Sequence, residues 1–107
     1  MPDNVQDPTG LEVVLTDECW QHVVSRHPEM LPFKSLVLEA IRQLNGIYFG
    51  NRDPARRIYR KNYSEVPGVG NSVDVLVFLG DDNRHVATAY FIAYSFRMLG
   101  RLVWPST

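Results

Sequence analysis

The feature that most constrains the fold is the apolar run Val73–Leu79, in which Asp74 is the one charged residue. β-branched and aromatic residues favour extended backbone, and a strand that is apolar at successive positions must be covered on both faces. This run is therefore predicted to form a central strand of a sheet. Turn residues at 80–83 follow it, and residues 85–94 are predicted to return as the neighbouring strand.

The first half of the chain has a helical period instead. A helix is predicted over about 17–26, with Thr16 as its N-cap and Pro28 as the residue that ends it. A second helix is predicted over about 33–44, where apolar residues recur at the spacing of one helix face.

Beyond the second helix the pattern changes to strands, predicted at 46–49 and 56–63 before the apolar run. Two helices followed by strands that connect through hairpins imply an α+β fold. In such a fold the helices pack on one face of an antiparallel sheet.

A chain of 107 residues has room for one such domain. Residues 1–10 are predicted to be a flexible lead, residues 11–94 the α+β domain, and residues 95–107 a tail apolar enough to dock on its body. No segment is apolar over the roughly 18 residues that a membrane span needs. The acidic N-terminus does not resemble an export signal, and the single cysteine, Cys19, fits a reducing compartment. The expected location is the cytoplasm, with no membrane partner.

The net charge of −1 conceals an uneven distribution. Residues 1–40 carry seven acidic and two basic residues, whereas residues 41–62 carry six basic residues and one acidic residue, Asp53. A nearly neutral protein with its positive charge in one block differs from a broadly basic nucleic-acid binder. The block predicts a local anion site.

The first predicted helix carries histidine and charge on one face. Glu18, His22 and Arg26 are spaced four residues apart and therefore share that face. An acid and a guanidinium can tune the imidazole between them for proton transfer. The alternative is an exposed polar stripe. His22 and His27 lie five residues apart and cannot ligate one metal ion from a regular helix, so neither a metal nor a cofactor is predicted.

The predicted strand at 56–63 interleaves bases with aromatic residues. Ile58 assigns its own face, which also carries Arg56 and Arg60, to packing against the helices. The opposite row then faces a cleft or solvent, where it could hold a phosphate and stack a base. The alternative is a charged edge strand that guards against aggregation. The candidate RNA-binding residues here are Arg56, Arg57, Tyr59, Arg60 and Lys61.

The last predicted strand places two hydroxyl groups on one face, those of Thr88 and Tyr90. Small residues alternate with them, so this face could line a pocket. The alternative is that Thr88 is present only because threonine favours strands.

The order of these signals resembles the barnase/EndoU/colicin/RelE-like nuclease superfamily, in particular its small phage- and bacterium-borne members. A histidine on the first helix precedes Arg26-His27-Pro28-Glu29, an amphipathic helix and an Asn45-Gly46 stop. The segments Arg-Arg-Ile-Tyr-Arg, Val-Asp-Val-Leu-Val-Phe and Ala-Thr-Ala-Tyr follow, so that the resemblance covers about residues 12–92.

The resemblance implies a metal-independent ribonuclease with two helices on a four-stranded antiparallel sheet, its catalytic groups on the sheet face and the first helix. It also implies a toxin or mobile-element effector with an antitoxin or immunity protein as partner. The candidate catalytic residues are His22, Arg26, His27, Arg57, Tyr59 and Thr88.

The chemistry of RNA cleavage through the 2′-hydroxyl can be met by these residue types. An imidazole can move the required protons near neutral pH, and an arginine can bind the phosphate oxygens. Two other classes stay open: a non-catalytic module that binds RNA or a protein, and an enzyme for a small phosphorylated or ADP-ribose-like ligand. Catalysis predicts that His22 and the pair Arg57 and Tyr59 converge on one concave surface.

Overall fold

The computed structural model describes residues 3–93 and 95–105. Its strands and helices, in chain order, are β1 (Asp3–Gln6), β2 (Glu12–Leu15), α1 (Asp17–Arg26), α2 (Lys34–Arg42), β3 (Gly46–Gly50), β4 (Arg57–Val66), β5 (Gly70–Leu79), β6 (Val86–Ile92) and β7 (Leu99–Trp104). Two 3₁₀ helices, Pro28–Phe33 and Ser95–Arg97, precede α2 and β7. The α+β class is therefore confirmed. No helix in the described part of the chain is long and apolar enough to cross a membrane.

The main sheet is antiparallel, with five strands in the order β6-β5-β4-β3-β7. The apolar run that constrains the fold lies in β5, which pairs with β4 on one side and β6 on the other. The sheet exceeds the expected four strands because the tail supplies β7, whose Leu102 lies opposite Tyr48 of β3. The tail thus extends the sheet at its edge.

Local sequence signals explain how the helices begin and end. Thr16 caps α1, with its Oγ1 accepting a hydrogen bond from the backbone N–H of Cys19 at 3.0 Å. The backbone N–H of His27 donates to the carbonyl of Val23 at 2.8 Å, and the chain then continues through Pro28 as a 3₁₀ helix. In α2 the apolar face buries Val37, Ala40 and Ile41 against the sheet. The observed α2 is shorter than the predicted 33–44 because Phe33 ends the 3₁₀ helix.

The helices cover one face of the main sheet, which we call the helix side. Its core contains the buried side chains of Ile47, Tyr59, Val75, Val77 and Ala89. Strand register places these residues on the same face, because Tyr59 pairs with both Ile47 and Val77, and Val77 pairs with Ala89. The prediction that Ile58 packs against the helices is wrong, since Tyr59 does so and Ile58 joins a second cluster on the opposite face. β4 buries a large side chain on each face, Ile58 on one and Tyr59 on the other, so Ile58 could not mark the helix side.

Residues 3–15 form a β-hairpin. The sequence predicts a flexible lead at 1–10, whereas β1 pairs with β2 in the structure, with Val5 opposite Val13. Oδ1 of Asp7 accepts hydrogen bonds from the backbone N–H groups of Thr9 and Leu11, at 2.8 and 3.0 Å, and so closes the turn between the strands. Asp7 also reaches the main sheet, and this contact fixes the hairpin to the domain.

Candidate functional site

The face of the main sheet that the helices leave uncovered, called the outer face here, is apolar in its centre. Register aligns Phe78 between Ile58 and Thr88, and the next outward residue, Leu76, pairs with Tyr90. Ile58 and Leu76 are almost fully buried without any helix above them. Leu99 of β7 and the partly buried side chains of Tyr48, Phe78 and Tyr90 pack against them.

A cleft of about 500 Å³ opens on this face, and we call it the outer cleft. Its volume lies in the range typical of ligand pockets. Ile58, Phe78 and Tyr90 form its apolar part, the loop after β3 forms one wall, and Arg97 with Met98 forms the other. The cleft therefore combines contributions from four parts of the chain that are distant in sequence.

Asn51 joins the two walls of the outer cleft. Its side-chain amide donates to the carbonyl of Arg97 at 3.1 Å, and its backbone N–H donates to that of Met98 at 3.1 Å. Gly50 allows the tight turn beside it, because a Cβ at this position would stand 2.7 Å from the carbonyl oxygen of Asp53. The loop after β3 is thus held against the segment that precedes β7.

The outer cleft carries positive charge. Of the described residues that line it, Arg52, Arg56 and Arg97 are basic and Asp53 is acidic. The Arg56 guanidinium lies 3.4 Å from Asp81, a fully exposed carboxylate, and its Nε lies 3.8 Å from Asp53. The second distance is too long for a hydrogen bond. An anion that entered the cleft would meet an excess of guanidinium groups.

Two buried polar atoms at this face make no hydrogen bond. Within the described ranges, the buried side-chain polar atoms without a hydrogen bond are Nε of Arg56 and Oγ1 of Thr88. Thr88 lies beside Phe78, and Arg56 lines the cleft. Most buried polar atoms in native proteins are hydrogen-bonded, and each exception therefore needs an explanation. Arg56 lines the outer cleft and Thr88 is not among its lining residues, so of the two it is Arg56 that an acceptor oxygen of a ligand in the cleft would meet.

His27 connects α1 to the outer cleft through an aromatic row. Its ring centroid lies 5.0 Å from that of Tyr90, and the Tyr90 centroid lies 5.4 Å from that of Phe78. The His27 side chain is 31% exposed, and its Nδ1 lies 3.5 Å from a carboxylate oxygen of Glu29. Burial raises the pKa of Tyr90, which keeps its hydroxyl protonated. The row offers flat surfaces at one end and a solvent-accessible imidazole at the other.

Arg57 and Tyr59, two of the candidate catalytic residues, lie on the helix side. The Tyr59 hydroxyl donates to Oδ2 of Asp7, and the Arg57 guanidinium lies 3.3 Å from the same oxygen. Burial, with the Asp7 contact, raises the pKa of Tyr59. Lys61, in the same row, donates to the carbonyl of Gln43 at the end of α2, at 2.8 Å. The expected cleft-side row is therefore part of the scaffold.

His22 and Arg26 are exposed on α1, and neither lines the outer cleft. No ion pair within 4 Å joins Glu18, His22 and Arg26 in the part of the chain that the structure describes. His22 is exposed whereas Tyr59 is fully buried with its hydroxyl on Asp7, so the two do not line the common concave surface that catalysis predicted. The structure instead brings Arg56, His27 and Thr88 to the outer face.

Arg60 also lies on the outer face, where its Nε donates to Asp74 at 2.9 Å. The sequence predictions missed Arg52, Phe78 and Arg97 as cleft residues. The two-residue spacing from Leu76 to Phe78 could have indicated the shared face of Phe78. Nothing local marks Arg97, because its position depends on how the tail folds back.

Within residues 3–93 and 95–105, no group of three or more histidine, cysteine, aspartate or glutamate side chains could hold a metal ion. Comparison of the chain with protein-family models, with curated proteins and with solved structures gives no match. The candidate function therefore rests on the geometry of the outer face and on the motifs of the sequence.

Proposed function

We propose that this protein is an endoribonuclease domain that binds single-stranded RNA in the outer cleft and cleaves it through the 2′-hydroxyl, without a metal ion. The observation that carries the proposal is Arg56, whose buried Nε makes no hydrogen bond, in a cleft that also contains the rings of Phe78 and Tyr90. The Thr88 hydroxyl, which makes no hydrogen bond either, lies beside Phe78 on the same face. Both atoms can donate a hydrogen bond to a phosphate oxygen. Because both atoms are buried, each would reach a phosphate oxygen only after a small side-chain movement, and the ligand would then satisfy a group that makes no hydrogen bond in the free protein.

Binding would divide the nucleotide between the two halves of the cleft. The arginines hold the phosphate, because a guanidinium matches two phosphate oxygens at once. The base lies against Tyr90 or Phe78, since every nucleobase has a flat face that stacks on an aromatic ring. The apolar part of the outer cleft would thus hold the base and its arginines the phosphate, which fixes the orientation of one nucleotide.

His27 would act as the general base. The Glu29 carboxylate beside Nδ1 favours a proton on that nitrogen, leaving Nε2 to accept the proton of the 2′-hydroxyl. The 2′-oxygen then bonds to phosphorus, the bond from phosphorus to the 5′-oxygen breaks, and this leaving oxygen takes a proton from water. The products are a 2′,3′-cyclic phosphate and a 5′-hydroxyl end. Arg56 and Thr88 stabilise the charge that develops on the phosphate oxygens.

The resemblance of the ordered motifs to the barnase/EndoU/colicin/RelE-like superfamily supports the same reaction. The motif Arg26-His27-Pro28-Glu29 supplies the histidine and the carboxylate used here, and Ala-Thr-Ala-Tyr supplies Thr88 and Tyr90. A role as a toxin or phage-related effector, an antitoxin partner and action in the cytoplasm belong to this proposal through the resemblance alone.

A second candidate function is RNA binding without cleavage. The observation that favours it is that no histidine is among the described residues that line the outer cleft. His27 contacts the ring of Tyr90, which does line the cleft. In that case Arg56 and Tyr90 would bind RNA, and His27 would only support the Tyr90 ring.

Incubation of the purified protein with end-labelled RNA in EDTA tests the proposal. We expect cleavage to 2′,3′-cyclic phosphate ends, slowed about 10²–10⁴-fold by His27→Ala, with a melting temperature close to that of the wild type. The matched control is His22→Ala, another helix histidine, which should cleave at the wild-type rate. RNA binding without cleavage would favour the second function. A wild-type protein that does not bind RNA would contradict both.

A further inference from the structure

We infer that Phe96 forms a second nucleotide subsite, on which the base next to the one in the outer cleft stacks. This inference rests on the proposed function, and it names the substrate more closely: an RNA single strand that spans two subsites, in preference to a mononucleotide.

Phe96 is exposed in a way that large aromatic side chains seldom are. Its relative accessibility is 62%, and it is the aromatic member of the exposed large hydrophobic residues in the described ranges. The guanidinium of Arg60 lies 4.7 Å from the centroid of its ring. This contact occupies one side of the ring as a cation–π pair and leaves other ring surface in solvent.

A buried carboxylate holds this arrangement in place. Asp74 is 3% exposed, and its two oxygens accept hydrogen bonds from Arg60 Nε and from Asn62 Nδ2, each at 2.9 Å. Asp74 therefore fixes the guanidinium, and the guanidinium fixes the ring. A ring that is ordered before the ligand arrives loses little conformational entropy on binding.

The position of Phe96 connects it to the outer cleft. The next residues along the chain, Arg97 and Met98, line that cleft. A phosphate that joins two nucleotides, one in the cleft and one on Phe96, would pass beside Arg97. The sequence Phe-Arg thus places a stacking surface and a phosphate-binding group side by side, which is the usual combination for single-stranded nucleic acid. Paired bases in a duplex would not present a free face to Phe96.

Equilibrium binding to two probes tests the inference. One is a fluorescently labelled RNA octamer with 2′-O-methyl groups, which lacks the attacking hydroxyl and cannot be cleaved, and the other is adenosine 5′-monophosphate. We expect Phe96→Ala to weaken octamer binding about tenfold, the loss typical of one stacked base, and to leave mononucleotide binding unchanged. Phe96→Trp should restore the octamer affinity.

The matched control is Leu31→Ala, which removes an apolar side chain of nearly equal exposure, 63%, from the 3₁₀ helix before α2. It should bind both probes like the wild type. Octamer affinity that is unchanged in Phe96→Ala, or lowered equally in Leu31→Ala, would overturn the subsite while the proposed function stands. The same holds if Phe96→Ala weakens both probes equally. Failure of the wild type to bind the octamer would overturn the proposed function, and the subsite with it.

Discussion

Both faces of the main sheet bury apolar side chains, but they differ in how the buried polar groups beside them are hydrogen-bonded. On the helix side, Asp7 accepts from Tyr59 and lies beside Arg57, and the Tyr63 hydroxyl donates to Glu39 at 2.7 Å. On the outer face, the hydroxyl of Thr88 and Nε of Arg56 are buried without partners. The outer face also has a satisfied carboxylate, Asp74, which accepts from Arg60 and Asn62. Among the described residues, the buried side-chain atoms without a hydrogen bond are therefore those of Arg56 and Thr88, and they distinguish the candidate site from the scaffold.

Two tyrosines, Tyr59 on β4 and Tyr90 on β6, illustrate this difference. Tyr59 is 0% exposed and committed to Asp7, so it cannot bind a ligand. Tyr90 belongs to the apolar part of the outer cleft, and its ring contacts His27 and Phe78. A tyrosine in a basic strand is therefore weak evidence for binding until its face is known.

The largest effect should come from breaking the polar network of the helix side. Asp7→Ala leaves the Tyr59 hydroxyl and the Arg57 guanidinium without their shared acceptor. We expect a loss of about 2–4 kcal/mol of unfolding free energy, measured by urea denaturation.

The control is Asp3→Ala in the same hairpin, which removes an exposed ion pair of 2.9 Å with Lys34. It should cost no more than about 0.5 kcal/mol. Equal losses in the two variants would show that the Asp7 network is not what fixes the hairpin to the sheet.

The sequence predicted the elements of this fold more successfully than it predicted the site. Helix caps and apolar periods are local, so Thr16, Pro28 and the face of α2 could be located from neighbouring residues. The contact between Asp7 and Tyr59 joins residues 52 positions apart, and no local pattern indicates it. Without that contact, the first residues resemble a loose lead because they are rich in proline and Asx residues.

The face of β4 could not be predicted for a related reason. Alternation distinguishes two faces only when one is polar, and here Ile58 and Tyr59 are both buried, on opposite faces. The predicted faces of both arginines are wrong as a result. Arg56 lines the outer cleft, and Arg57 lies beside Asp7 on the helix side. Arg97 joined the cleft only because β7 pairs with β3, which is a tertiary event that composition does not reveal.

On the outer face, Arg56→Gln should weaken RNA binding about tenfold, which corresponds to the loss of one charge-assisted contact. The slope of log affinity against log salt should fall by about 0.7, the value for one phosphate contact with a single strand. Fluorescence anisotropy over a range of salt concentrations measures both quantities. Arg42→Gln, at the exposed end of α2, is the matched control and should change neither. An Arg56→Gln slope equal to that of the wild type would contradict the assignment of Arg56 to phosphate.

Thr88→Val tests the other unsatisfied atom of the outer face, because it removes a buried hydroxyl that makes no hydrogen bond. The variant should be as stable as the wild type or more stable by up to about 1 kcal/mol, since an unsatisfied buried group is lost. Cleavage should nevertheless slow by about tenfold or more if the hydroxyl stabilises the phosphate.

The matched change is Thr16→Val, where the hydroxyl caps α1. It should cost about 1 kcal/mol and leave the chemical step unaffected. Thermal melts and single-turnover cleavage separate the two variants. A destabilised Thr88→Val that cleaves normally would make Thr88 a structural residue like Thr16.

The smallest expected effect is on how steeply the melting temperature falls at low pH, which depends on the ionisation of Asp7. Burial alone would raise the pKa of Asp7, but hydrogen bonds from Thr9, Tyr59 and Leu11 outweigh it and hold this pKa below its ordinary value. A carboxyl whose pKa is lower in the folded state contributes stability above the unfolded value of 3.8, and this contribution is lost as the pH falls through the folded value. Asp7→Asn, which keeps the shape of the side chain, should therefore show a shallower fall of melting temperature below about pH 4.

Asp82 provides the comparison on an exposed turn, where hydrogen bonds from His85 and Arg84 lower its pKa to about 2. Asp82→Asn should likewise flatten the acid limb, with no effect on the hairpin that Asp7 holds. If Asp7→Asn follows the wild-type curve throughout, the ionised form of Asp7 is not what stabilises the helix side.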